Sequence, residues 1–292
     1  MSGSIPGVAR SFLGSCTSVM VASVRSRSPA TDTAFSRAMR TTLTALPATL
    51  RDRKAIGWRA RLGVAVPMTN TVCEAEFNRL SPEGVSFHFI RMPPKASRDG
   101  DPIAHIVQEA TDAAKGLAMA RVSGIAFACT ADSMACPADK LIPAIENNSK
   151  ASAISTADAI VAALRALGLK KIGMASPYRQ ESNKKEAGYL ARHGIEVVAM
   201  AGLGLDTPEH VGEMSRVPPP KVFEHALSVD RPEVDGILIC CTDFNTLDVI
   251  DLLEKTTGKP VISSVTATFW NILRRAGIKD KVPGYGRLLA EH

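Results

Sequence analysis

The feature that most constrains this chain is that it repeats itself about every 110 residues. "VSGIAFACT" (122–130) matches "VDGILICCT" (234–242), with Val122/Val234, Gly124/Gly236, Ile125/Ile237, Cys129/Cys241 and Thr130/Thr242 identical. "RLGVAVPMTN" (61–70) runs parallel to "KIGMASPYRQ" (171–180), pairing Gly63 with Gly173, Ala65 with Ala175 and Pro67 with Pro177. Gly84 before "VSFHFI" pairs with Gly194 before "IEVVAM", and "ISTADAIVAALRALG" (154–168) echoes "SSVTATFWNILRRAG" (263–277). These blocks keep one order at nearly one offset, which describes a duplicated unit and predicts two similar lobes.

Within each copy the apolar patterning switches period. Leu62–Val66, Val85–Ile90, Gly124–Cys129, Ile172–Ala175, Ile195–Met200, Ile237–Cys241 and Val261–Ile262 are continuous apolar runs. Strands of that kind are covered on both faces, as in a parallel sheet. Between them lie helical patterns such as "HIVQEATDAAKGLAMARV", "ADAIVAALRALG" and "VIDLLEKTTG", with Gly168 and Gly258 placed as helix stops. Alternation of strand and helix predicts an α/β fold of two pseudo-symmetric lobes, each a short parallel sheet flanked by helices. The expected lobes are residues 59–157 with 265–292, and residues 158–264. Ligands in such sheets bind beyond the carboxyl ends of the strands, so the site is expected in the cleft between the lobes.

Composition narrows the function classes. Nine of the 35 Lys/Arg and two of the 29 Asp/Glu fall in residues 1–60, leaving 26 basic and 27 acidic groups in the rest. The predicted folded body is therefore near neutral, which argues against a nucleic-acid partner. No apolar run is long enough to span a bilayer, which argues against a membrane-spanning helix. Residues 1–58 form a Ser/Arg/Ala-rich, acid-poor extension that suits either a targeting segment or a start codon placed too far upstream. Six cysteines (16, 73, 129, 136, 240 and 241), mostly inside apolar runs, suggest reduced thiols in a cytoplasmic setting. Neither a CxxC nor a clustered His/Cys spacing suggests a metal site.

The repeat singles out two of these thiols. Cys129 and Cys241 end equivalent strands just before a turn, so pseudo-symmetry sets them on opposite walls of one cleft. A helix N-terminus beside each thiol is expected to lower its pKa. Two facing thiols suit either proton exchange at a carbon beside a carboxylate, or addition to an electron-poor double bond followed by rotation and elimination. Neither reaction needs a metal or an organic cofactor, but both need donors where carboxylate charge grows. Thr130, Thr242, Thr69 and Asn70 are placed to supply them from the strand ends, and Tyr178 from the opposite lobe. Cys240 is expected to point the other way along its strand, into the core. Cys16, Cys73 and Cys136 are likewise expected as core thiols.

"PMTNT", "FACTAD", "ASPY" and, above all, "DGILICCTDFNTLDVIDLLE", "GKPVISS", "FWNILRRAG" and "PGYGRLL" in order resemble the aspartate/glutamate racemase superfamily, in its maleate cis–trans isomerase and arylmalonate decarboxylase branch. The resemblance covers about residues 59–292 and implies two α/β lobes around a cofactor-independent site, in a homo-oligomer acting on a small carboxylate. It implies Cys129 and Cys241 as the catalytic pair, with Cys129 the nucleophile and Cys241 the acid/base. Asn70 and Tyr178 are implied as carboxylate ligands. The decarboxylases keep only the thiol corresponding to Cys241, so two thiols imply isomerisation or racemisation. Met68 stands where the branch has a small hydroxyl residue, and residues 204–210 lack an asparagine that maleate isomerases often carry. Maleate is therefore a model for the substrate class.

Overall fold

The computed structural model describes residues 50, 52–93 and 100–292. The expectations for the N-terminal extension through residue 49, including Cys16, lie outside the described residues. Residues 54–292 form one compact unit.

That unit holds two four-stranded parallel sheets with the same strand order. The first has β1 (Ala60–Pro67), β2 (Val85–Met92), β3 (Gly124–Phe127) and β4 (Ser152–Ser155) in the order β2-β1-β3-β4. The second has β5 (Lys171–Ser176), β6 (Glu196–Gly202), β7 (Gly236–Ile239) and β8 (Val261–Ser263) in the order β6-β5-β7-β8. The α/β class and the paired sheets are as the repeat predicts. Strand β4 is an addition to the sequence reading, and β3 and β7 stop two residues short of the predicted strand ends at Cys129 and Cys241.

Local constraints explain why the repeated glycines recur. Gly84 and Gly194 share a φ of +79° on entry to the second strand of each sheet, a conformation that costs most L-residues strain. A Cβ on Gly173 would lie 2.4 Å from the Val229 carbonyl oxygen, so the backbone passes there only without a side chain.

The helices are α1 (Cys73–Leu80), α2 (Pro102–Met119), α3 (Thr130–Ala135), α4 (Ala138–Ser149), α5 (Thr156–Ala166), α6 (Gln180–Arg192), α7 (Pro219–Leu227), α8 (Leu247–Thr257), α9 (Ser264–Arg275) and α10 (Arg287–Glu291). Ser155 caps α5 by accepting the Asp158 N–H, and Ser263 caps α9 by accepting the Thr266 N–H. Gly258 closes α8 in the left-handed conformation expected of a helix stop. The two pseudo-equivalent helices exchange sheets. Ile160, Val161 and Leu164 of α5 join the core of the second sheet, whereas Phe269, Ile272 and Leu273 of α9 join that of the first. Phe269 meets Phe77 edge-on at 5.3 Å between ring centres, and burial of such a ring contributes roughly 1.5–3 kcal/mol. This exchange binds the two sheets into one body and brings their carboxyl ends together.

Candidate active site

The loops after β1, β3, β5 and β7 converge, and hydrogen bonds between residues more than 100 positions apart join them. Asn70 Nδ2 donates to Thr242 Oγ1 at 3.1 Å, and Thr242 Oγ1 donates to the Ala128 carbonyl at 2.9 Å. The N–H groups of Thr71 and Val72 both donate to Asp243 Oδ1, at 2.8 and 3.3 Å. Thr130 Oγ1 donates to Ser264 Oγ at 3.0 Å. The hydroxyls of Thr130 and Thr242 thus tie the two halves together, which leaves the backbone N–H groups of these turns as the donors for a bound anion. Asn70 is 1% exposed, and its Oδ1 accepts the N–H groups of Val72 and Cys73. One hydrogen of its amide remains for a ligand.

Cys129, half-buried, precedes α3, and its Sγ donates to Asp132 Oδ2 at 3.3 Å. Cys241 is 5% exposed and adopts a φ of +87°, a left-handed conformation that non-glycine residues seldom take without a functional or packing demand. Its sulfur accepts the Asp243 N–H at 3.3 Å and lies 3.7 Å from Met214 Sδ. The Tyr178 phenol faces the same sulfur. A charge on Cys241 disfavours ionisation of Cys129, and a charge on either thiol disfavours ionisation of Tyr178, so the three belong to one electrostatic site. Cys129, Cys241 and Tyr178 therefore form one group, and Asn70 and Thr242 a hydrogen-bonded pair beside it. Thr130 follows Cys129 directly, with its hydroxyl turned to Ser264.

The electrostatics correct one expectation. Burial, followed by the Asp132 carboxylate, holds the Cys129 thiol well above its ordinary range, and burial pushes Cys241 up to about 12. The expected lowering by a helix N-terminus fails because desolvation outweighs it. At Cys241 the geometry is also absent, since α8 begins only at Leu247 after a turn through Thr242–Thr246. Burial likewise raises the Tyr178 phenol well above its usual range. Cys240 is fully buried in the core of the second sheet, as expected from its place on the strand.

Four further residues shape the site that the sequence did not single out for a role. Asp132 holds the Cys129 proton, and its sequence signal is its place at the end of "FACTAD", one helical turn after the thiol. Asp243, which burial raises to about 6, latches the loop after β1. Met214 covers Cys241, and Asn245 Nδ2 donates to the carbonyls of Ser215 and Val217 to hold that cover in place. Among the described residues no cluster of His, Cys, Asp and Glu is arranged to hold a metal ion, and no helix is long and apolar enough to cross a membrane.

The chain is similar to a maleate isomerase of Geobacillus stearothermophilus, 27% identical over 247 residues that span 79% of this chain and 97% of that one. It superposes on a Nocardia farcinica maleate cis–trans isomerase with a TM-score of 0.72 and 28% identity, covering 80% of this chain and 99% of that one. That protein is a cysteine-to-serine variant carrying a covalently bound succinylcysteine intermediate. An arylmalonate decarboxylase crystal structure superposes with a TM-score of 0.66 and 26% identity, covering 78% of this chain and 98% of that one. The arylmalonate decarboxylase family model matches residues 62–289, and the chain belongs to that family.

Proposed function

We propose that this chain is a cis–trans isomerase of a small dicarboxylate, with maleate-to-fumarate conversion as the model reaction, and that two thiols carry the chemistry without a cofactor. The observation that carries this reading is the meeting of Cys129 and Cys241 at one site from equivalent ends of two equivalent sheets. The succinylcysteine of the Nocardia relative supports covalent addition by one thiol.

In the forward direction the Cys129 S–H bond breaks and its proton passes to Asp132, 3.3 Å away. The sulfur electron pair forms a C–S bond at one alkene carbon. The alkene π electrons move toward the carboxylate on the other carbon, where Tyr178, Asn70 and the backbone N–H groups of Thr130 and Thr242 stabilise the growing charge. The former double bond is now single and rotates. Collapse of the enediolate expels the sulfur, which recovers its proton, and leaves the trans isomer. Where Cys241, on the opposite face, protonates the carbanion, its thiolate takes the same proton back after the rotation and before the sulfur leaves. Burial holds both thiols high, so thiolate forms only as substrate binds and the bond is made.

Proton NMR of the purified chain with maleate tests the reading: a fumarate singlet is expected, and Cys129→Ala and Cys241→Ala are each expected to slow it by about a hundredfold to ten-thousandfold. Full turnover in both variants would exclude this mechanism. The reading extends to a homo-oligomer in a reducing, cytoplasmic compartment that keeps the thiols free. Light scattering on the purified chain reads the assembly.

A further inference from the structure

Tyr178 projects from a turn that polar groups on three elements hold in place. Ser176, the last residue of β5, accepts the Tyr178 N–H on its hydroxyl at 3.0 Å, and that hydroxyl donates to Asn183 Oδ1 on α6. The Ser176 carbonyl accepts the Leu203 N–H at 3.2 Å from just past β6, and also the half-buried His225 ring from α7, at 2.9 Å from Nε2. A carbonyl oxygen can only accept, so Nε2 carries the proton of this pair. On the other side of the turn the Leu205 N–H donates to the Pro177 carbonyl at 2.7 Å.

The repeat supplies a comparison within the same chain. At the shared offset Ser176, Tyr178 and Asn183 correspond to Val66, Met68 and Cys73. Met68 is 47% exposed, whereas Tyr178 is 6% exposed. Val66 and Cys73 belong to the apolar core of the first sheet. The serine and the asparagine thus accompany the buried tyrosine and are missing where a methionine faces solvent. A solvent-facing side chain needs no fixed direction. A phenol that must donate to a developing charge does, because a misplacement of about 1 Å can cost roughly a hundredfold in rate.

His225 also reaches the other side of the site. Its ring meets Phe244 edge-on at 6.5 Å between ring centres, and Phe244 is fully buried three residues after Cys241. The next residue, Asn245, binds the Ser215 and Val217 carbonyls just before α7 begins. Helix α7 is therefore tied to the turn after β7 at its start, and through His225 to the end of β5. The histidine bridges the strand end that carries Tyr178 and the turn that follows Cys241.

We infer that His225 is a positioning residue of the site: its Nε2–H, bound to the Ser176 carbonyl, fixes the end of β5 so that the Tyr178 phenol meets the substrate carboxylate. The part played by the phenol rests on the two-thiol reading above; the hold of His225 on the Tyr178 turn does not.

The test reads Tyr178 directly. The chain has three tyrosines, Tyr178, Tyr189 and Tyr285, so the full-length protein made with ring-fluorinated tyrosine gives a resolvable fluorine NMR spectrum, in which Tyr178→Phe assigns the resonance of interest. His225→Leu removes the donor and is expected to move or broaden the Tyr178 resonance while Tyr189 and Tyr285 stay in place. His225→Gln offers an amide N–H at similar reach and is expected to restore it. With maleate as substrate, kcat/KM is expected to fall roughly tenfold to a hundredfold in His225→Leu and to recover to within about threefold of wild type in His225→Gln. A Tyr178 resonance unmoved in His225→Leu overturns the inference. So does a change shared by all the tyrosines, which marks loosened packing, or a His225→Gln variant that resembles His225→Leu. Turnover in His225→Leu equal to that of an active wild type overturns it as well. If the resonance moves and recovers as expected while the wild-type chain yields no fumarate, the hold on Tyr178 stands and the isomerase reading fails.

Discussion

At the scale of single residues, the site depends on how burial and neighbours apportion two thiol protons. Cys129 has a carboxylate at 3.3 Å, and that neighbour works in two directions. It disfavours thiolate in the resting site, by its charge and by accepting the thiol hydrogen. It is also the group that can receive the proton once the sulfur attacks. Asp132→Asn should therefore separate the two effects: iodoacetamide labelling of Cys129 quickens, roughly threefold to tenfold at neutral pH, while isomerase turnover falls. Parallel rates of labelling and turnover in that variant would leave Asp132 an electrostatic neighbour only. The identity of the two thiols was legible in the sequence because each lies inside a repeated block. Asp132 and Asp243 were not, because neither has a counterpart in the other copy. Their roles depend on which loop folds against which across more than a hundred residues.

Elements follow the sequence where apolar patterning is dense and depart from it where it thins. Strand β4 is only Ser152–Ser155, with two apolar side chains, and no pattern marks it. Its repeat partner Val261–Ile262 was legible as a strand, and carrying that assignment back across the repeat would have found it. The turn after Cys241 is a similar case. The repeat implies a helix directly after each cysteine, but α8 begins at Leu247, and Thr246 and Leu247 offer their N–H groups to Glu76 instead. Glu76→Ala would leave those donors buried and unpaired. A loss of about 1–3 kcal/mol in urea-induced unfolding is expected, with most of it restored in Glu76→Gln, which keeps one acceptor oxygen. Stability within about 0.5 kcal/mol of wild type in Glu76→Ala would mean that the α8 cap is not held by this carboxylate.

For the whole molecule, the duplicated fold buries acids on both sides of the site, and this sets how stability depends on pH. Burial raises Glu76 and Glu186 to about 7 and Asp243 to about 6. A carboxyl whose folded value lies above its unfolded one binds its proton more tightly in the folded state. Its contribution is thus fully present below about pH 4 and is lost as pH rises through 6 to 7. The surface acids act with the opposite sign. Asp248 beside Arg79 and Asp280 beside Arg59 are held below their ordinary values by their arginine partners, and stabilise the fold except in strong acid. Both are largely solvated and contribute little. The buried acids therefore dominate between about pH 5 and pH 8, and the urea midpoint is expected to fall across that window by an amount equivalent to a few kcal/mol, each pKa unit being worth about 1.4 kcal/mol. Glu186→Gln removes an acid that has no hydrogen-bond partner among the described residues, so it should flatten the fall, with its largest stabilisation at the alkaline end. A midpoint that held steady or rose from pH 5 to pH 8 would contradict this assignment. It would mean that Glu76 and Glu186 are ionised throughout.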